Sequence, residues 1–358
     1  MKRFSILSTL IVLVMLAAVA GQRAPSPAAP AAAGSATAKA MGAANAFLAV
    51  LDEGERAKGA FPFNSPQKSN WSNLPSGVYQ RNSLRLGDLS PAKRAAAMAL
   101  VAAVLSADGY RKVNDIMNGD EVLRGSGGGQ TGGRAGGAPR GGGRGGGITF
   151  GSAEYYIAVL GAPSLSTPWM VQFGGHHLAI NVTIAGRGNV ITPSLPAAQP
   201  AKYTLNGQTI RPLGKENDKG FALIGALNAE QRKQAILNYR VSDLVLGPGE
   251  DGKTIQPEGI LATALNANQQ AMLLDLAHEW VGILNDEGAE ARMAEIRNNL
   301  PRTYFAWSGA TENGGLAYFR IQGPTLLIEY APQQGDLDHI HTIYRDPTND
   351  YGARLIAP

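Results

Sequence analysis

Apolar residues recur at helical spacing through the first third of the chain and at every second position in two later stretches. This change of period lays out the fold. From residue 37 a stripe of Met41, Ala44, Phe47, Leu48 and Leu51 predicts a first helix. Ser90 and Pro91 supply an N-cap and a first helical position for a second helix, which runs through Leu100, Val101 and Val104 to about residue 106. Asp108-Gly109-Tyr110 is expected to break it, with a further helix over residues 111–123. Alternation then takes over, and residues 155–160, 169–173 and 178–184 predict strands punctuated by Gly161-Ala162-Pro163 and Gly174-Gly175. After a polar loop expected at 206–220, helices are predicted at 228–237 and 266–284 and again at 287–300. Four strands close the chain, at 303–307, 316–322, 325–331 and 339–344, joined by glycine-bearing loops of hairpin length.

Strands bracketed by helical runs, without regular strand-helix-strand alternation, predict an α+β fold. The expected form is a helical layer packed on a mixed or antiparallel sheet, with a C-terminal antiparallel meander. Lys2 and Arg3 precede an apolar run from Phe4 to Ala20 that ends in Ala18-Val19-Ala20, so residues 1–20 read as a cleaved signal peptide. An uncleaved anchor is the alternative, although the run is slightly short for a span. Residues 21–36 read as an Ala/Pro-rich unstructured tether and 37–358 as a single α+β domain, with a Gly-rich flexible insertion at 125–147. The protein is therefore expected outside the cytoplasm, in the periplasm or secreted, with no membrane association after cleavage.

Composition narrows the chemistry. The 358 residues carry a formal net charge of +4, part of it from Lys2, Arg3 and the arginines of the insertion, so there is no electrostatic case for a nucleic-acid partner. Cysteine is absent, so any metal must be held by nitrogen and oxygen and the fold has no disulfides. Neither composition nor pattern sets an oligomeric state.

Four of the five histidines lie in two short clusters, His176-His177 and His339-Ile340-His341. Residues i and i+2 of a strand share a face at about 7 Å, close enough for two imidazoles to converge on one ion. His177 is expected on the less apolar face of its strand with Asn181, and His176 on the opposite side. A symmetric last hairpin would bring Glu329 beside His339 and His341, as ligand, orienting partner or general base; a slip of one residue would turn it away. These residues would form a site for a divalent transition metal, zinc, copper, iron or manganese. The weighed alternatives are a metal-free polar site and histidines with a structural role. His278 shows no metal spacing and reads as structural. Arg345 has the strand parity of the histidines and is a candidate clamp for an oxyanion, or else one half of a surface pair with Asp346. Tyr344 and Asp346, with Trp169 and Gln172 upstream of the glycine pair, are candidates to line a cleft for a small-molecule substrate.

Three segments carry a family resemblance: Phe173-Gly174-Gly175-His176-His177-Leu178, Thr303-Tyr304-Phe305-Ala306-Trp307-Ser308-Gly309, and His339-Ile340-His341-Thr342-Ile343-Tyr344-Arg345-Asp346-Pro347. In these the chain resembles the family catalogued as domain of unknown function 3500, over about residue 40 to the C-terminus. The resemblance implies a secreted or periplasmic bacterial setting and brings no activity with it. The functional expectation therefore rests on the histidines: a secreted metal-dependent enzyme, of hydrolase type, using a metal-activated water and a carboxylate. The alternatives are a copper or iron oxidoreductase on the same cluster, or a non-catalytic extracytoplasmic ligand-binding protein.

Overall fold

The computed structural model describes residues 31–32, 34–126 and 147–356. The segment read as a signal peptide, most of the segment read as a tether and most of the Gly-rich insertion lie outside these residues. Along the described chain the helices are α1 (Ala36–Ala49), α2 (Glu53–Gly59), α3 (Pro91–Val104), α4 (Ala107–Gly125), α5 (Gly214–Ala226), α6 (Ala229–Ala235), α7 (Ala267–Val281), α8 (Asp286–Asn299) and α9 (Ala353–Ile356). Side-chain caps mark most of their starts, α5 being an exception. Ser90 accepts from the Lys93 amide with Pro91 following, Ser106 caps α4, and Asn228 and Asn266 form reciprocal capping boxes with Gln231 and Gln269. The expected break at Asp108-Gly109-Tyr110 falls one turn earlier, at Leu105. Gly109 is required there for a different reason, since a Cβ would strike the backbone of Ile283. The polar loop expected at 206–220 is in part a small hairpin and the first half of α5.

Two main sheets carry the site. The first contains β1 (Ala60–Phe61), β2 (Leu84–Arg85), β3 (Tyr156–Leu160), β4 (Trp169–Gly175), β5 (Leu178–Ala185), β6 (Gly188–Val190) and β7 (Leu195–Pro196). A separate hairpin follows, β8 (Tyr203–Leu205) and β9 (Gln208–Ile210). The second main sheet is an antiparallel meander in the order β10 (Ile260–Leu261), β11 (Tyr304–Gly309), β12 (Ala317–Gly323), β13 (Leu326–Pro332) and β14 (Ile340–Arg345). The fold is α+β, as the change of period predicts.

Residues 194–198 join the two sheets. On one side β7 pairs antiparallel with β5, Leu178 opposite Pro196 and Ala179 opposite Leu195. On the other, Ser194 and Ala198 bridge antiparallel to Tyr344 and Ile340 of β14, with reciprocal amide bonds of 2.8–2.9 Å at both positions. Two antiparallel steps make β5 and β14 run in the same direction, so the chain enters both strands at the same end. That is how residue 177 comes to residues 339 and 341.

The two faces of β14 have different surroundings. Ile340 and Tyr344 enter the main core with Trp280, whose indole donates to Thr342 Oγ1 at 2.9 Å. His341, Ile343 and Arg345 point the other way. There Ile343 joins a smaller apolar cluster with Trp71, Ala179, Leu195, Ala197, Leu246 and Leu327. The loops holding Trp71 and Leu246 thus cover the face that carries the histidines.

Candidate metal centre

The first cluster sits in a two-residue connection. Gly175 pairs with Leu178, so His176 and His177 are the turn between β4 and β5 and not, as their setting suggests, the opening of a strand. His177 has φ 61°, a left-handed conformation that a histidine adopts at a cost and that the surroundings must hold. Its N–H donates to Asn73 O at 3.0 Å and its carbonyl accepts from Ala197 N at 2.8 Å. Gly174 is needed below the turn, because a Cβ there would collide with the Leu178 carbonyl. The turn therefore aims the His177 ring, where strand parity was expected to do so.

The second cluster is also shifted. Pro332 pairs with Ile340, leaving His339 just before β14 and His341 within it. The ligand atoms of His177, His339 and His341 all lie within 4.8 Å of one another. His339 Nε2 is 2.8 Å from His177 Nε2 and 3.1 Å from His341 Nε2. His177 and His341 are buried, whereas His339 is half-buried, so what solvent exposure the triad has lies at His339.

Proton counting makes this convergence informative. An imidazole nitrogen carries either one hydrogen or one lone pair. Asp243 Oδ1 lies 2.9 Å from His341 Nδ1 and accepts its hydrogen, which leaves the lone pair of the neutral ring on Nε2, facing the centre. The single Nε2 of His339 cannot make well-aligned hydrogen bonds to both neighbours. Three lone pairs directed at one cation satisfy all three rings at once. Burial, followed by the charges of the neighbouring histidines, holds His177 well below the ordinary histidine value and lowers His339 to about 4. The neutral forms that ligate metal are therefore the favoured ones. These three residues can hold a metal ion.

Asp243 and Asn73 lie outside any periodic pattern and were not among the sequence candidates. Asp243 is the carboxylate of this site. Burial alone would raise its pKa, but the hydrogen bond from His341 leaves it lowered. Such a carboxylate fixes the tautomer and direction of a ligand ring. His176 turns away from the centre. Its Nδ1 lies 2.6 Å from Asp120 Oδ1, its carbonyl accepts from Tyr155 OH at 2.8 Å, and its ring stacks on His177 at 3.7 Å. It supports the neighbouring ring and is not a member of the triad.

The remaining sequence candidates are engaged elsewhere. Glu329 pairs with Ile343 and so does share the His341 face, as the parity argument required. Its carboxylate, however, accepts from Val245 N at 3.0 Å, Leu246 N at 2.8 Å and Tyr318 OH at 2.6 Å. It anchors the loop that carries Asp243, and the role of ligand or base does not fit it. Arg345 is 1% exposed and donates to Leu246 O, Gly247 O, Asp251 and Asp350, leaving no nitrogen for a substrate anion. Asp346 accepts from Arg354 Nη2 and Thr348, and Tyr344 OH accepts from Arg292. Trp169 donates to Ser164 O from within the core. Gln172 is bonded to Gln67 and Asn181. Each is a buried internal partner, so the sequence reading of a substrate cleft built from these four is corrected.

The fold and the site define an α+β protein with a three-histidine centre at the seam of two sheets. The chain belongs to the family described as Protein of unknown function (DUF3500), whose profile matches residues 33–353. No curated protein and no solved structure matches the chain.

Proposed function

We propose that this protein is a secreted, metal-dependent enzyme of hydrolase type, with His177, His339 and His341 holding a divalent transition metal. The observation that carries the reading is the approach of three imidazole nitrogens at 2.8 and 3.1 Å, with His339 half-buried and the other two rings buried. A bound divalent ion would polarise a carbonyl or ester oxygen and lower the pKa of water. The chain's own residues then have distinct tasks. Asp243 holds the His341 ring, the His176 ring backs His177, and the half-buried His339 is where a small substrate would approach. Secretion is proposed from the N-terminal Lys2-Arg3 and the apolar run that follows.

Zinc suits this set because it takes imidazole nitrogen without requiring thiolate. Copper and iron accept the same nitrogens, so an oxidoreductase is the second reading, and metal identity separates the two. A ligand-binding protein that clamps an anion through Arg345 loses its clamp to the Leu246–Asp251 loop. Elemental analysis of protein purified without a histidine tag should find close to one transition-metal ion per chain, lost in a His339→Ala/His341→Ala variant. Wild-type protein that carries no metal and takes up none on titration with zinc, copper, iron and manganese would refute the proposal.

A further inference from the structure

Resting on the metal reading, the geometry points to Asn73 as a fourth ligand, through its carboxamide oxygen. Asn73 is 8% exposed, and its side-chain amide lies 3.3 Å from His341 Nε2. Two ligands of a tetrahedral ion with bonds of about 2.0–2.1 Å are about 3.4 Å apart. The amide atom therefore stands from His341 at the distance expected between neighbours in one coordination shell. The His–His separations of 2.8 and 3.1 Å are of the same kind.

The backbone shows why Asn73 is delivered here. The left-handed His177 donates its N–H to the Asn73 carbonyl, so the turn that aims one ligand also fixes the main chain of the other. Arg81 Nη2 holds the same loop by donating to the carbonyls of Ser72 and Leu74, at 2.7 Å each, and to that of Gly175. Residue 73 is thus tied from both sides to the hairpin that carries His177.

The amide nitrogen and oxygen are nearly isosteric and exchange by a half-turn about the last side-chain bond. Nδ2 faces His341 Nε2, whose lone pair accepts. With a cation at the centre, an N–H there would point at positive charge, and the carbonyl oxygen takes its place. Three imidazoles and a carboxamide are all neutral, so the ion keeps its full charge, the condition for strong polarisation of an incoming oxygen. Water or substrate would then enter on the His339 side as a fifth ligand, an expansion that zinc sites sometimes undergo in the transition state.

The test uses full-length protein, cobalt(II) as spectroscopic probe and zinc as competitor, on wild type, Asn73→Ala and Asn73→Asp. Expected results are a fall of about tenfold or more in zinc affinity and an altered cobalt d–d spectrum in Asn73→Ala. Asn73→Asp should restore affinity to the wild-type level or above, because it returns an oxygen donor. Circular dichroism of the metal-free variants controls for folding, and Asn73→Asp keeps the test valid should the alanine variant be unstable. Affinity and spectrum unchanged in Asn73→Ala, with wild type still binding metal through its histidines, would overturn the role of Asn73 and leave the metal site standing. Absence of metal binding in wild type would overturn both.

Discussion

Replacing Asp243 tests the site without touching a ligand. Its Oδ1 is 2.9 Å from His341 Nδ1 and also accepts from the Leu244 amide at 2.7 Å. In Asp243→Asn a neutral carbonyl oxygen can keep both bonds but loses the charge that strengthens them. In Asp243→Ala the His341 ring loses its orienting partner altogether. Loss of such a partner lowers metal affinity by about 10–100-fold, or about 1.4–2.8 kcal/mol. The Asp243 side chain is 38% exposed, so water compensates in part. The asparagine variant should therefore fall near the lower figure and the alanine variant toward the upper. Competition between the protein and a chromophoric chelator for zinc reads both, and the thermal unfolding of the metal-free proteins should differ little. Affinities of both variants equal to wild type would mean that His341 is not oriented by this carboxylate, and the proton count at the centre would have to be redrawn.

Three further outcomes follow from the placements of the other residues. Glu329→Gln puts an amide N–H against donors that now meet a buried carboxylate, and should destabilise the protein by about 1–3 kcal/mol in urea unfolding while leaving metal stoichiometry unchanged; loss of metal with full stability would restore Glu329 to the site. Arg345→Met leaves Asp251 and Asp350 without their cation, and should cost about 3–5 kcal/mol, with Asp350 already raised by burial; a variant as stable as wild type would refute the stapling role. Hydrogen bonding to Arg211 lowers Asp218 to about 2, so this pair contributes above the ordinary value of 3.8 and fades as pH falls toward 2. Asp218→Asn should accordingly show a smaller drop in stability than wild type between pH 5 and pH 2, and an equal drop would count against the pair.

Much of the layout is legible in the sequence because it rests on local periodicity. The capped starts at Ser90, Asn228 and Asn266 and the period-two runs that became β3, β4, β5 and the meander follow from side-chain spacing alone. Where the sequence misled, a tight turn or a non-local contact decided. Gly175 and Leu178 close a two-residue turn, so His176 and His177 follow turn geometry and not strand alternation. Glu329 lies on the expected face, yet two amides from residues 245 and 246 reach it first. Asp243 and Asn73 come from irregular segments, where nothing in the neighbouring residues signals their destination. The one available hint for Asn73 was its place in a turn rich in polar residues before Pro75, and that describes many turns of no consequence.

The strip 194–198 gives the centre a mechanical meaning. His177 and His339 are separated by 162 positions in the chain, and they face each other because one short ribbon is hydrogen-bonded on both edges. An ion gripped by both would act as a clasp across that seam, so that any fluctuation peeling either sheet from the ribbon would have to break coordination as well. At a free metal concentration one hundred times the dissociation constant such a clasp adds about 2.7 kcal/mol to the folded state. The halves of the molecule would then melt together when loaded, and the same seam would be the first place to open in a protein stripped by a chelator.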